Sequence, residues 1–175
     1  MSAMQLIVDI SVNYMTTTRI IATLFTVALT GCGLGAGTLG GFATITFPAS
    51  KKKVIIAIDS LFAQYPEYKI PDKWKKRDDW KERGYNFLDS RIFYFKSEPE
   101  EMYYVSFYGD ANDSLQVDTT KTGISIRAVD NGADYVWTKE SDISTSEERR
   151  ISERFQNEIV SKLEHYINAK AFYGQ

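Results

Sequence analysis

The spacing of apolar residues changes several times along the chain, and each change predicts an element. Val54, Ile58, Leu61, Phe62 and Tyr65 share one face at helical spacing, so residues 50–64 are predicted as a helix that Pro66 stops. The β-branched cluster Val54-Ile55-Ile56 would equally suit the start of a strand. Residues 42–47 alternate as a short strand. Three clearer extended runs follow, RIFYFK (91–96), MYYVSFYG (102–109) and GISIRAV (123–129), each rich in β-branched or aromatic side chains. Glu98-Pro99-Glu100 joins the first two through a loop short enough for an antiparallel hairpin. Residues 114–119 read as a further strand, and Asn131-Gly132 as a turn that lets YVWT (135–138) pair back. Ser144 and Glu147 have the spacing of a capping box, and Ile151, Phe155, Ile159, Leu163 and either Tyr166 or Ile167 follow on one stripe, predicting a last helix over 144–168. The expected fold is α+β: a two-layer antiparallel sheet with two main helices packed on one face. Neither an internal repeat nor a long low-complexity tract interrupts it.

Between the first helix and the first long strand lies a charged connector, residues 68–86, that holds Trp74 and Trp80. Pro71-Asp72 suits the start of a short helix there and Gly84 its end. Two roles compete for the indoles. Folded back, they lid the core. Exposed among Lys75, Lys76, Arg77 and Arg83, they are candidate partner contacts, because Trp and Arg dominate interface hot spots. At helical spacing the two would point about 120° apart, so one is expected in the core and the other at the surface.

The N-terminal pattern is different again. Residues 20–50 carry no charge; Arg19 precedes them and Lys51-Lys52-Lys53 follow. The apolar run IIATLFTVALTG (20–31) behind a single positive charge has the layout of a secretory signal. It ends in Leu29-Thr30-Gly31-Cys32, which resembles the lipobox of bacterial lipoproteins. The resemblance implies signal-peptidase recognition of Leu29, Thr30 and Gly31, cleavage after Gly31, and acylation of the Cys32 thiol as lipid attachment site. Acyl chains would then hold the domain at the membrane, each buried CH₂ contributing about 0.8 kcal/mol. Gly33 stands where an Asp commonly favours inner-membrane retention in such lipoproteins, so the outer membrane is the expected location. Met15 opens a neater signal than Met1, because Asp9 falls in the longer leader. The expected organisation is a signal peptide over 1–31, a glycine-rich tether over 32–41 and one α+β domain over 42–175. The element order of that domain is similar to small envelope-assembly lipoproteins.

The uncharged run also fits two other patterns. It is long enough to span a bilayer uncleaved, with GxxxG spacing at Gly33, Gly37 and Gly41. Lys51–Lys53 against Arg19 would then put the domain in the cytoplasm. Gly35-Ala36-Gly37-Thr38-Leu39-Gly40 also spells GxGxxG, with Asp59 nineteen residues beyond. A dinucleotide site, however, needs a helix directly after the glycines, and here GFATITFP follows, β-rich and ended by Pro48.

Composition narrows the function. A net charge of −2 argues against nucleic-acid binding, which needs a basic excess. One cysteine excludes an internal disulfide, and a single histidine, His165, excludes a His-rich metal site. No metal site, cofactor site or catalytic residue is expected. GxSxG, P-loop and HExxH motifs do not occur. Asp110-Ala111-Asn112-Asp113 opens like a calcium loop, but Leu115 and Lys121 stand where it needs Gly and Glu. Glu98, Glu100 and Glu101 sit at a hairpin tip, where burial is not expected to perturb them. His165 is expected beside the apolar stripe, at the surface or its boundary, and not as a catalytic base. The function that fits is a lipid-anchored envelope module, not an enzyme, that binds an unidentified envelope protein. The alternative is an envelope hydrolase whose carboxylate pair the linear sequence hides.

Overall fold

The computed structural model describes residues 41–108, 120–132 and 136–173, all within one unit, Leu39–Gln175. Leu29, Thr30, Gly31, Cys32, the GxGxxG run, residues 110–113 and the strand expected over 114–119 lie outside the described residues.

The fold is α+β, a five-stranded antiparallel sheet with helices packed against one face. In chain order the elements are β1 (Ile45–Phe47), α1 (Lys51–Gln64), β2 (Ser90–Phe95), β3 (Glu101–Tyr108) and β4 (Thr122–Asp130). A last helix follows in three parts: α2 (Thr145–Phe155), a π turn (Gln156–Val160) and α3 (Ser161–Ile167); β5 (Phe172–Tyr173) ends the order. The sheet runs β2-β3-β4-β1-β5. Phe42 continues the line of β1, its N–H donating to the Ile126 carbonyl at 3.0 Å and its carbonyl accepting from Ser125 Oγ at 2.6 Å.

Local chemistry sets the helix ends. Ser50 Oγ accepts from the Lys53 N–H and caps α1; Ser144 Oγ does the same from Glu147 and caps α2. The capping box is half made, since the Glu147 carboxylate accepts from Arg150 instead. At α3 the chain leaves through Asn168 in the left-handed region, φ 56°, a residue type that tolerates it.

The π turn follows from the apolar spacing. Ile151, Phe155, Ile159, Leu163 and Ile167 recur at strict fours and all are buried. In an α-helix four residues overshoot a full turn by about 40°, so the stripe would drift off the sheet. The wider π turn takes up that excess in mid-helix, and the face stays on Phe93 and Tyr103, whose rings lie 5.5 and 6.2 Å from that of Phe155.

A bulge divides the sheet's two faces. Tyr104 pairs with Ala128 but Val105 pairs with Ile126, leaving Arg127 extra on β4. Before it, Ile124 and Ile126 join the helix-side core; after it, Val129 does so and Ala128 turns to the opposite face. That opposite face is covered by the connector. Its 3₁₀ turn Asp72–Arg77 and the residues up to Leu88 lay Trp74, Trp80, Tyr85 and Leu88 over Tyr94, Met102, Tyr104 and Ala128. Trp137 closes this second cluster, and Thr138 bridges to Val129, so of the YVWT run expected to pair back Thr138 does so, while Tyr135 lies outside the described residues.

Two expectations are corrected here. Trp74 and Trp80 are both buried, at 7% and 5% exposure; the helical turn ends at Arg77, so the 120° divergence never applies. The carboxylates beside Pro99 do not all stand in solvent. Glu101 begins β3 and is 1% exposed, because the hairpin tip folds under α2.

Candidate functional site

Polar groups in the interior mark three places. The first is Glu101. Tyr103 Oη donates to Glu101 Oε2 at 2.9 Å, Arg154 Nη1 donates to the same oxygen at 2.8 Å, and Arg150 holds Oε1 through Nη2. Arg154 also reaches the Pro99 and Ser97 carbonyls at 2.6 and 2.9 Å, so it pins the hairpin tip to the last helix. Burial, then Glu101 itself, pushes the Tyr103 hydroxyl up. The bond to Glu147 raises Arg150 first, with Glu101 adding to it. Every oxygen of Glu101 is occupied, and this cluster ties elements together.

The second place joins connector and sheet. Arg77 Nη1 donates to Asp130 Oδ1 at 2.5 Å and Nη2 to the Gly132 carbonyl at 3.0 Å. Gly132 N–H donates back to Asp130 Oδ1 at 2.8 Å. The guanidinium lies 4.5 Å from the Trp74 ring centre, a cation–π contact, and Trp137 Nε1 donates to the Arg77 carbonyl at 2.9 Å. Gly132 has φ +81°, and a Cβ there would stand 2.7 Å from the Trp74 ring, so only glycine fits the turn. Nearby, Tyr94 donates to Glu100. Lys73 first, then Tyr94, hold the Glu100 carboxyl below the usual range, while burial followed by Glu100 pushes Tyr94 up to about 12.

The third place is a cleft of about 320 Å³ where the connector crosses β2 and β3. Ile70, Leu88 and Ile92 give it aliphatic wall, and Trp80, Tyr85 and Tyr104 aromatic wall; Asp78, Lys81, Asn86, Ser90 and Arg91 supply polar lining. Trp80 and Tyr104 stack at 3.9 Å and 12°. Trp80 Nε1 and Tyr104 Oη are buried with no hydrogen-bond partner, a state that costs about 1–3 kcal/mol per group. Burial raises the Tyr104 hydroxyl, with Ser90 acting the other way, and burial likewise raises the Asp78 carboxyl. Phe87, 61% exposed, extends the aromatic lining outward from Tyr85, its ring 6.2 Å away. Asp78 is the one carboxylate in this lining; a glycosidase-type site needs a pair.

A larger dip of about 470 Å³ runs along α3 past Glu164 and His165. Its buried carboxylate, Glu164, already accepts from Ala171 N–H at 2.9 Å and Lys170 at 2.7 Å, and His165 is exposed. Among the described residues no group of His, Cys, Asp and Glu could hold a metal ion, and no helix is long and apolar enough to cross a membrane.

Of the candidate partner residues, Trp80 lines the cleft, whereas Trp74 packs on Arg77 and Tyr94 away from it. Tyr104, Asp78 and Ser90 carry no signal in the sequence that would select them. Tyr104 reads as one more alternating strand residue, and its lack of a partner exists only once the connector has folded over it. No protein-family model, curated protein or solved structure matches the chain.

Proposed function

We propose that this chain is a lipid-anchored envelope lipoprotein whose domain works by binding, as an accessory or assembly module. The observation that carries the anchor is Leu29-Thr30-Gly31-Cys32 at the end of an uncharged apolar run. In this reading Cys32 bears the acyl chains, the following glycines are a flexible tether, and the outer membrane is the home of the domain. Binding is supported by the state of the buried carboxylates among the described residues. Glu101, Asp130 and Glu164 are each paired with a cation, although Asp130 Oδ2 has no partner of its own, while Trp80 Nε1 and Tyr104 Oη lie unmet beneath the connector cleft.

Intact-mass measurement of the membrane form tests the anchor. The wild-type chain is expected to begin at Cys32 and carry diacylglycerol, and Cys32→Ala to accumulate as unprocessed precursor. An uncleaved N-terminus with a free thiol at Cys32 overturns the reading.

A further inference from the structure

The connector cleft has a composition that selects a ligand chemistry. Of its two buried groups outside any direct hydrogen bond, Trp80 Nε1 needs an acceptor, and Tyr104 Oη, with Ser90 beside it, can donate or accept. Asp78 at the edge needs a donor. Lys81 and Arg91 bring two positive charges to the lining and Asp78 one negative charge; Arg91 is paired with Asp89 at 2.8 Å, so Lys81 and Asp78 are the charges left facing a ligand, and they balance. Ile70, Leu88 and Tyr85 offer apolar wall to the ligand's body. A hydroxyl accepts and donates through one atom while staying neutral, and a cleft of about 320 Å³ lies at the small end of ligand sites.

We propose that this cleft binds a single sugar ring, a hexose unit whose hydroxyls satisfy Trp80, Tyr104 and Asp78 while its C–H face lies on Tyr85. The inference rests on the reading of the domain as a binding module and gives that module its ligand class. Neither unmet atom has surface open to water. The sugar therefore enters by parting the Tyr85 ring from Trp80, on which it packs edge-on at 5.5 Å. Tyr85 is half-buried and its neighbour Phe87 is exposed, so the displaced ring has room at the surface.

The chain has three tryptophans, hence three indole N–H resonances. The protein as it is produced, processed or not, is held in a phosphocholine detergent, which carries no sugar, and titrated with the methyl glycosides of glucose, galactose, mannose and N-acetylglucosamine. Controls are cyclohexanol, which has the ring without the hydroxyl set, and glucuronate, which adds a charge. At least one glycoside is expected to shift the Trp80 resonance saturably below about 50 mM, near the weak end of specific recognition. Trp137, already bonded to Arg77, should stay still. Asp78→Ala, at an exposed residue that leaves the core intact, is expected to weaken that glycoside about tenfold. Absence of a saturable Trp80 shift with every glycoside overturns the assignment, as does an equal response to cyclohexanol or unchanged affinity in Asp78→Ala. Tighter binding of glucuronate than of glucoside overturns the neutral class in favour of an acid. None of these outcomes bears on the Cys32 mass, so failure of the ligand and failure of the anchor are told apart.

Discussion

At the scale of the residue, Glu101 shows how a charge placed by sequence at a turn becomes interior. Its carboxylate is compensated by Arg150, by Arg154 and by the Tyr103 hydroxyl. A buried pair adds little net stability when intact, but removing one member strands the others. Arg154 is 9% exposed at its side chain and Arg150 32%, so water relieves only the second. Glu101→Gln is therefore expected to cost about 2–3 kcal/mol, below the range for a fully buried pair. Urea denaturation followed by tryptophan fluorescence measures it, and a loss under about 0.5 kcal/mol, the size of an ordinary surface change, would show the cluster to be ornamental. Nothing in the local sequence announces this role. Glu98, Glu100 and Glu101 are alike as letters, and only the approach of α2 distinguishes the one that is enclosed.

At the scale of the element, the long-period signals were legible and the short or compensated ones were not. Both main helices, β2, β3 and β4 follow from the apolar spacing, because each buries one face and periodicity records that burial directly. The two-residue β5 has no room for a period. The π turn is visible only as stripe residues at strict fours, which an α-helix would otherwise carry off the core. The bulge at Arg127 breaks the alternation of GISIRAV, so Val129 returns to the helix side out of step. The second face of the sheet was the larger gap. The connector's charge density favours exposure, yet its indoles and Tyr85 are what cover Tyr94, Met102 and Tyr104. The candidate cleft is a product of that covering, so it was no more legible than the covering itself. Phe155 sits where the stripe meets the strands and has 0% exposure. Phe155→Ala is expected to cost about 3–5 kcal/mol, read from the shift in denaturation midpoint at unchanged slope. A cost under 1 kcal/mol would mean that the last helix contributes little to the core.

At the scale of the molecule, tyrosines couple the fold to alkaline pH. Burial, with Glu158 next, pushes Tyr68 up to about 12; burial, with Glu100 next, does the same for Tyr94. Burial also raises Tyr103 and Tyr104. A phenol whose pKa is higher folded than unfolded contributes stability in full below the unfolded value, about 10. That contribution is lost as pH rises through the folded value. Stability is thus expected to be level up to about pH 10 and to fall between there and the value of about 12 at Tyr68 and Tyr94. Tyrosinate absorbance should rise together with the change in tryptophan fluorescence. Smooth ionisation of every tyrosine well below the unfolding transition would contradict the burial of these hydroxyls.

The position of β1 has a mechanical consequence. Three residues, Ile45–Phe47, lie between β4 and β5, and β5 has no other partner in the sheet. Side-chain bonds clamp both ends of the segment: Ser125 Oγ holds the Phe42 carbonyl at 2.6 Å and Thr122 Oγ1 holds that of Ala49 at 2.7 Å. Tension applied from the N-terminal side of the domain arrives at Phe42, in the interior of the sheet. The Ser125 clamp takes the load before any ladder bond of β1 does, and if β1 yields, β5 is cast off with it. If the domain is held from its N-terminal side, as proposed, load enters the sheet at an inner strand and not at an edge.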